Sequence, residues 1–132
     1  MRQTLRIASA LLVSATLGSA FVSCGSRRSS GPKISAAARE EANKVFREIC
    51  ASCHGNTGDG DGPGSKTLDP KPRKFKDAKW QDSITDEQIK KTITNGGAAV
   101  GKSAQMPAQP QLKVKEDVLN GLVRIVRSFR AQ

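Results

Sequence analysis

Tyrosine is absent from this 132-residue chain, tryptophan occurs once, and aromatic residues make up only 4% of it. That is thin material for a self-sufficient core, because small domains bury a modest share of their surface and usually need a staple. Histidine also occurs once, as His54, and there are only three cysteines and two methionines. A zinc site wants four protein donors, so here it would have to fall back on a carboxylate. Acidic residues are scarce as well, and 12 Asp+Glu against 22 Lys+Arg give a formal net charge of +10. The glycine-rich stretch from Gly55 to Gly64 lacks the Gly-Lys-Ser/Thr ending of a phosphate-binding loop and has no strand pattern before it. Its Asp59/Asp61 pair lacks the other ligand positions and the closing Glu of a calcium loop. With no internal repeat or second domain visible, the length suits one small domain with extensions.

Against this sparse background stands Cys50-Ala51-Ser52-Cys53-His54. Two cysteines spaced by two residues, with a histidine directly after the second, form the pattern that carries a covalently attached c-type haem. Each thiol adds to one vinyl group, and the histidine is held under the iron as proximal ligand. Since Met1 is the initiator, Met106 is the candidate for the opposite face. A His/Met pair holds haem iron for electron transfer. Met106-Pro107 closes an aperiodic glycine-rich stretch, where gap-filling is a poor explanation for a methionine. A thioredoxin-like pair would sit beside a strand–helix unit, whereas here a helical pattern leads into the motif. Zinc binding and thiol exchange remain the competing readings. A buried porphyrin would also supply the apolar surface that the composition lacks.

Residues 1–23 are expected to be a signal peptide, with Arg2 and Arg6 as its positive start and a mostly apolar run from Ile7 to Val22. That run is interrupted by Ser9, Ser14, Thr16 and Ser19, and is short for a membrane span of about 20 residues. Phe21-Val22-Ser23-Cys24-Gly25 resembles the lipobox of bacterial lipoproteins, with cleavage before Cys24 and diacylglycerol on its sulfur. The alternatives are an uncleaved helical anchor and ordinary cleavage to a soluble periplasmic protein. Every version exports the domain. With Cys24 lipidated and Cys50 and Cys53 on haem, no cysteine is left for a disulfide. Residues 24–34 then form a lipid-anchored polar tether, and 35–132 the folded domain. Arg27 and Arg28 read first as solubilising charge, with contact to anionic lipid head groups as the alternative.

Within the domain the periodicity predicts three main helices. The first is capped by Ser35, and its stripe of Ala38, Ala42, Val45, Phe46 and Ile49 runs into Cys50 and Cys53. The glycine-rich loop after it is expected to pass close to the haem edge. Leu68 to Trp80 reads as a loop, because Pro70 and Pro72 block helix. It carries Lys71, Arg73, Lys74, Lys76 and Lys79, with Phe75 and Trp80 as apolar anchors. Thr85-Asp86-Glu87-Gln88 is a capping box for the second helix, with Ile84 and Ile89 as hydrophobic staple and Asn95-Gly96 as its end. Residues 96–105 read as flexible chain. The last helix covers about 115–129, with an uncapped start and a stripe of Val118, Leu122, Ile125, Val126 and Phe129.

From about Ser35 to Phe129 the chain resembles monohaem class I cytochromes c of bacterial electron-transport chains. The matching pieces are Val45-Phe46, Cys50 to Gly55, the Gly-Asp-Gly-Pro loop, Thr85 to Ile89, Asn95-Gly96-Gly97, Met106-Pro107, and Leu122-Val123 with Val126 to Phe129. The resemblance implies an all-α cytochrome c fold of about three main helices wrapped around one covalent haem c. It implies haem attachment at Cys50 and Cys53 and axial ligation by His54 and Met106. A backbone carbonyl near Pro63 would fix the His54 ring, and Trp80 would bond a haem propionate. The family's helix crossing usually sets a glycine on the first helix against an aromatic on the last; here Ala42 and Ile125 stand at those places.

The expected function is one-electron carriage at a membrane, without enzymatic activity of its own. Basic charge suits acidic faces of redox complexes such as a quinol–cytochrome c oxidoreductase or a terminal oxidase, and export argues against nucleic acid as partner. A haem c subunit of a larger oxidoreductase is the near alternative. A haem enzyme or sensor with an open iron position is the more distant one.

Overall fold

The computed structural model describes residues 33–131, all of them within the second of two compact units, Gly31–Gln132. The leader 1–23, the lipidation candidate Cys24 and the tether up to residue 32 lie outside the described residues.

Helix α1, Ala36–Val45, starts where Ser35 Oγ accepts from the Ala38 amide at 3.1 Å, which satisfies one of the unpaired amides of a first helical turn. It does not run straight into the cysteine motif. Phe46–Cys50 is a π-helical turn, followed by the short α2, Ala51–His54. A π-turn inserts a residue and rotates everything after it by roughly 100° about the axis. The expected stripe therefore breaks: Ala38, Ala42 and Phe46 are buried, Ile49 is 40% exposed, and Ala51 faces the core instead.

Gly55, with φ of 75°, ends α2. The glycine loop then folds back on the helix, with Gly60 donating to the His54 carbonyl at 2.9 Å and Gly62 to that of Cys53 at 3.1 Å. Gly58 has φ of 71°, and a Cβ there would lie 2.8 Å from the Phe129 ring. Its smallness admits an aromatic neighbour from the chain itself.

The stretch read as loop up to Trp80 contains an unforeseen helix, α3, Ala78–Ser83. Asp77 caps it by accepting from the Trp80 amide at 3.1 Å. Helix α4, Asp86–Asn95, has the full capping box, with Gln88 N to Thr85 Oγ1 at 3.2 Å and Thr85 N to Gln88 Oε1 at 2.8 Å. Residues 96–105 are not loose chain either. Ala98–Val100 is a 3₁₀ turn, and Gly97 N–H bonds the Met106 carbonyl at 3.0 Å.

Helix α5, Glu116–Ser128, lacks a side-chain cap at Lys115, as its sequence suggests. It packs on α1 with Ala42 fully buried and Leu122 1% exposed. The close approach depends on Gly121, where a Cβ would come within 2.6 Å of Ala42 Cβ. The crossing glycine thus sits on the last helix rather than the first, and Ile125 is only partly buried at the margin of the core. No strand occurs among the described residues, and the fold is all-α. None of the described helices is long and apolar enough to cross a membrane.

Candidate functional site

Three segments meet at one cleft. The end of α2 brings His54, the Met106 loop returns from the far end of α4, and the walls come from α3, α4 and α5. The cleft encloses about 390 Å³ of empty space, part of it open to solvent. Ile84, Ile89, Ile93 and Val126 give it apolar walls, with Phe75 and Trp80 adding aromatic faces and Arg73 and Thr92 its polar margin.

His54 is held from two sides. Its Nδ1 lies 3.2 Å from the carbonyl oxygen of Arg73, and since a carbonyl only accepts, Nδ1 carries the proton and Nε2 keeps its lone pair. Phe75 stacks on the imidazole with centroids 4.4 Å apart and planes 15° off parallel. Burial pushes the His54 pKa below its usual value, with the Arg73 hydrogen bond opposing. The ring is therefore neutral near pH 7, the form that ligates metals. The carbonyl expected near Pro63 is not the one that meets this ring. Pro63 stands exposed in the 3₁₀ turn Pro63–Ser65, away from the cleft lining.

Met106 reaches the same cleft on a tied loop. Its amide donates to Ser103 O at 3.2 Å, its carbonyl accepts from Gly97, and Gln109 N bonds Ile93 O at 3.0 Å. Residues 96–103, Gly-Gly-Ala-Ala-Val-Gly-Lys-Ser, share the residue spacing of a phosphate-binding loop. Here they leave a helix rather than a strand. The amides of Gly97, Val100, Gly101 and Lys102 are already bonded to Met106, Gly97, Ala98 and Gly97 carbonyls, so these four are not free to cradle an anion.

Trp80 lines the cleft, 5.7 Å from Phe75 and with the Arg73 guanidinium 5.7 Å from its ring centroid. Cys50 and Cys53 are free thiols on the turn that delivers His54, and neither is part of the cleft lining. Burial pushes the Cys50 thiol up to about 11, so it stays protonated at neutral pH, which is unfavourable for thiol–disulfide exchange. No group of three or more His, Cys, Asp or Glu among the described residues is arranged to hold a metal ion.

These donors do fit a c-type haem. A neutral imidazole with Nε2 available and a thioether line one apolar cleft, and two free thiols sit within a turn of the imidazole. The residues that sequence reasoning overlooked are those behind the wall. Gln81 is buried, and Arg127 reaches it from α5. A glutamine inside a charged segment gives no periodic signal, and Arg127 reads from sequence only as a helix-end cation.

Residues 37–124 match the family model described as Cytochrome C oxidase, cbb3-type, subunit III. No curated protein gave a match.

Proposed function

The chain belongs to the family of that cbb3-type subunit III model and carries a c-type cytochrome domain; on that premise we propose that it is a membrane-tethered one-electron carrier with His/Met-ligated haem c. The observation that carries this reading is that the sole histidine and the one internal methionine, far apart in sequence, line the same apolar cleft. Cys50 and Cys53 would hold the haem as thioethers, with His54 and Met106 on its iron. When bound, the haem supplies a one-electron iron couple.

The chain's own residues set the conditions for that couple. The Arg73 carbonyl fixes the His54 ring and raises the basicity of Nε2. The bonds of the Met106 loop to Gly97 and Ser103 keep the thioether in place, so neither ligand needs to move when an electron passes. Isoleucine and valine walls give the haem an apolar surround, which would disfavour the more highly charged oxidised centre and raise the potential.

A visible spectrum and pyridine haemochrome assay of protein made with haem-maturation machinery test attachment. Met106→Ala is then expected to lower the potential and let carbon monoxide bind the reduced protein. An unchanged potential would remove Met106 from the iron. Ready binding of carbon monoxide or peroxide by the unmutated protein would favour a haem enzyme or sensor instead.

The lipobox-like Phe21–Gly25 supports export to the periplasm and anchoring through Cys24. Cys24→Ser should move the protein from the membrane to the soluble fraction. The family's description favours a second reading, in which the chain is a fixed haem subunit of a terminal oxidase. Co-purification with an oxidase after detergent extraction decides between subunit and free carrier.

A further inference from the structure

Behind the cleft wall lies a polar assembly in which Gln81 is only 4% exposed. Its Nε2 donates to the carbonyls of Phe75 and Val126, both at 2.8 Å. Arg127 holds it in place, donating from Nη1 to Gln81 Oε1 at 2.9 Å and to Gln81 O at 2.7 Å. The same guanidinium reaches Ile84 O at 2.6 Å from Nη2 and Asp86 Oδ1 at 2.9 Å from Nε. Phe75, Ile84 and Val126 are all wall residues.

A buried amide is costly unless every polar atom is bonded, and packing alone would be served by an apolar residue of the same length. What the amide adds is direction. It bridges the Phe75 carbonyl to that of Val126 and so ties the backbone at Phe75, the end of the 73–75 segment, to α5. That short segment provides both contacts on the imidazole, the Arg73 carbonyl at Nδ1 and the Phe75 ring on its face.

We propose that Gln81, locked by Arg127, is a positioning residue for the His54 imidazole, setting the strength of its Nδ1–H···O bond and through it the reduction potential. The inference rests on the reading of His54 as iron ligand. A strongly held Nδ1–H makes Nε2 a better donor and favours the oxidised iron. Loosening the 73–75 segment weakens that donor and raises the potential.

The test uses the full-length haem protein with ¹⁵N-labelled histidine, since a single histidine gives a single set of ring signals. Gln81→Met keeps the length and removes the hydrogen bonds. It should speed exchange of the Nδ1 proton in the reduced protein by about tenfold, the loss of roughly one net hydrogen bond, and raise the potential. Arg127→Met should shift both in the same direction by less. Leu112→Ala, a buried site outside this assembly, should lower stability and leave both readouts unchanged. Wild-type exchange and potential in Gln81→Met would overturn the proposal. Should that variant fail to fold, Arg127→Met decides, and lowered stability with an unmoved Nδ1 proton counts against it. An unmutated protein whose Nε2 signal shows no iron bond refutes the ligand reading itself, a separate outcome.

Discussion

The crossing of α1 and α5 gives a sharp test of the packing that positions the cysteine motif. Gly121→Ala would set two methyl carbons 2.6 Å apart, against Ala42, which has no exposed surface. Such overpacking costs about 1–3 kcal/mol, and the better helix propensity of alanine returns about 1. The single variant should therefore lose about 1 kcal/mol. Ala42→Gly loses about 1 kcal/mol of propensity and about 0.8 for the buried methyl, or about 2 in all. In the double variant the methyl has merely changed helices. The propensity terms cancel and the clash is gone, so its stability should lie within about 0.5 kcal/mol of the parent. The coupling energy, from urea unfolding of the haem-loaded protein with a common m-value, should be about 2–3 kcal/mol. Additive losses, agreeing to about 0.5 kcal/mol as for independent sites, would show that these two positions do not touch and that the glycine has another purpose.

Asp59 joins the glycine loop to the following segment, with Lys76 first, then Thr57 and Lys74, holding its carboxyl down to about 2 from a usual 3.8. Its folded value lies below the unfolded one, so its stabilisation is complete above about pH 4 and disappears as pH falls through about 2. Asp59→Asn should flatten the acid limb of a melting-temperature profile between those values, and parallel profiles would refute the tie. Thr85→Ala removes half of the capping box on α4 and should cost about 1 kcal/mol in urea unfolding. A loss confined to noise would mean that Asp86 and Glu87 already satisfy that end.

The sequence displayed what depends on short spacing and concealed what depends on register and on distant partners. Ser35, Thr85 and Gly96 act locally, so the residue beside each one decides the outcome, and the structure places all three where their chemistry requires. The π-turn at Phe46–Cys50 leaves no mark in an apolar pattern that looks continuous, so the pattern points Ile49 inward and gives Ala51 no place in the core. Pro70, Pro72 and the cations mask helix α3, although Asp77 directly before Ala-Lys-Trp is an ordinary cap signal. Gly121 was invisible because mid-helix glycine reads as a weakness until the facing Ala42 is known. For the site, scarcity alone singles out His54 and Met106, the two residues that the structure brings to one cleft. The Arg73 carbonyl, Gln81 and Arg127 act across the fold, where residue identity alone says nothing of a partner.

The cation-rich segment before α3 joins the site to the surface. Lys74 and Lys76 both converge on Asp59, at 3.2 and 2.9 Å, and Arg73 lies 3.6 Å from Asp77. Lys71 bonds the carbonyls of Ser65 and Lys66 at 3.0 and 2.8 Å. Surface ion pairs add little to stability, so the main effect of these contacts is to fix geometry. They hold residues 71–76 against the loop that follows His54, and so hold the Arg73 carbonyl within reach of its ring. Two cations on one carboxylate still leave a surplus positive charge, whose field reaches about 8–10 Å at physiological salt. A substitution at Lys74 or Lys76 therefore acts on that surface field and on the imidazole contact together. Removing Lys76, the stronger tie to Asp59, loosens the segment that carries the carbonyl, whereas charges outside that segment change the surface field alone.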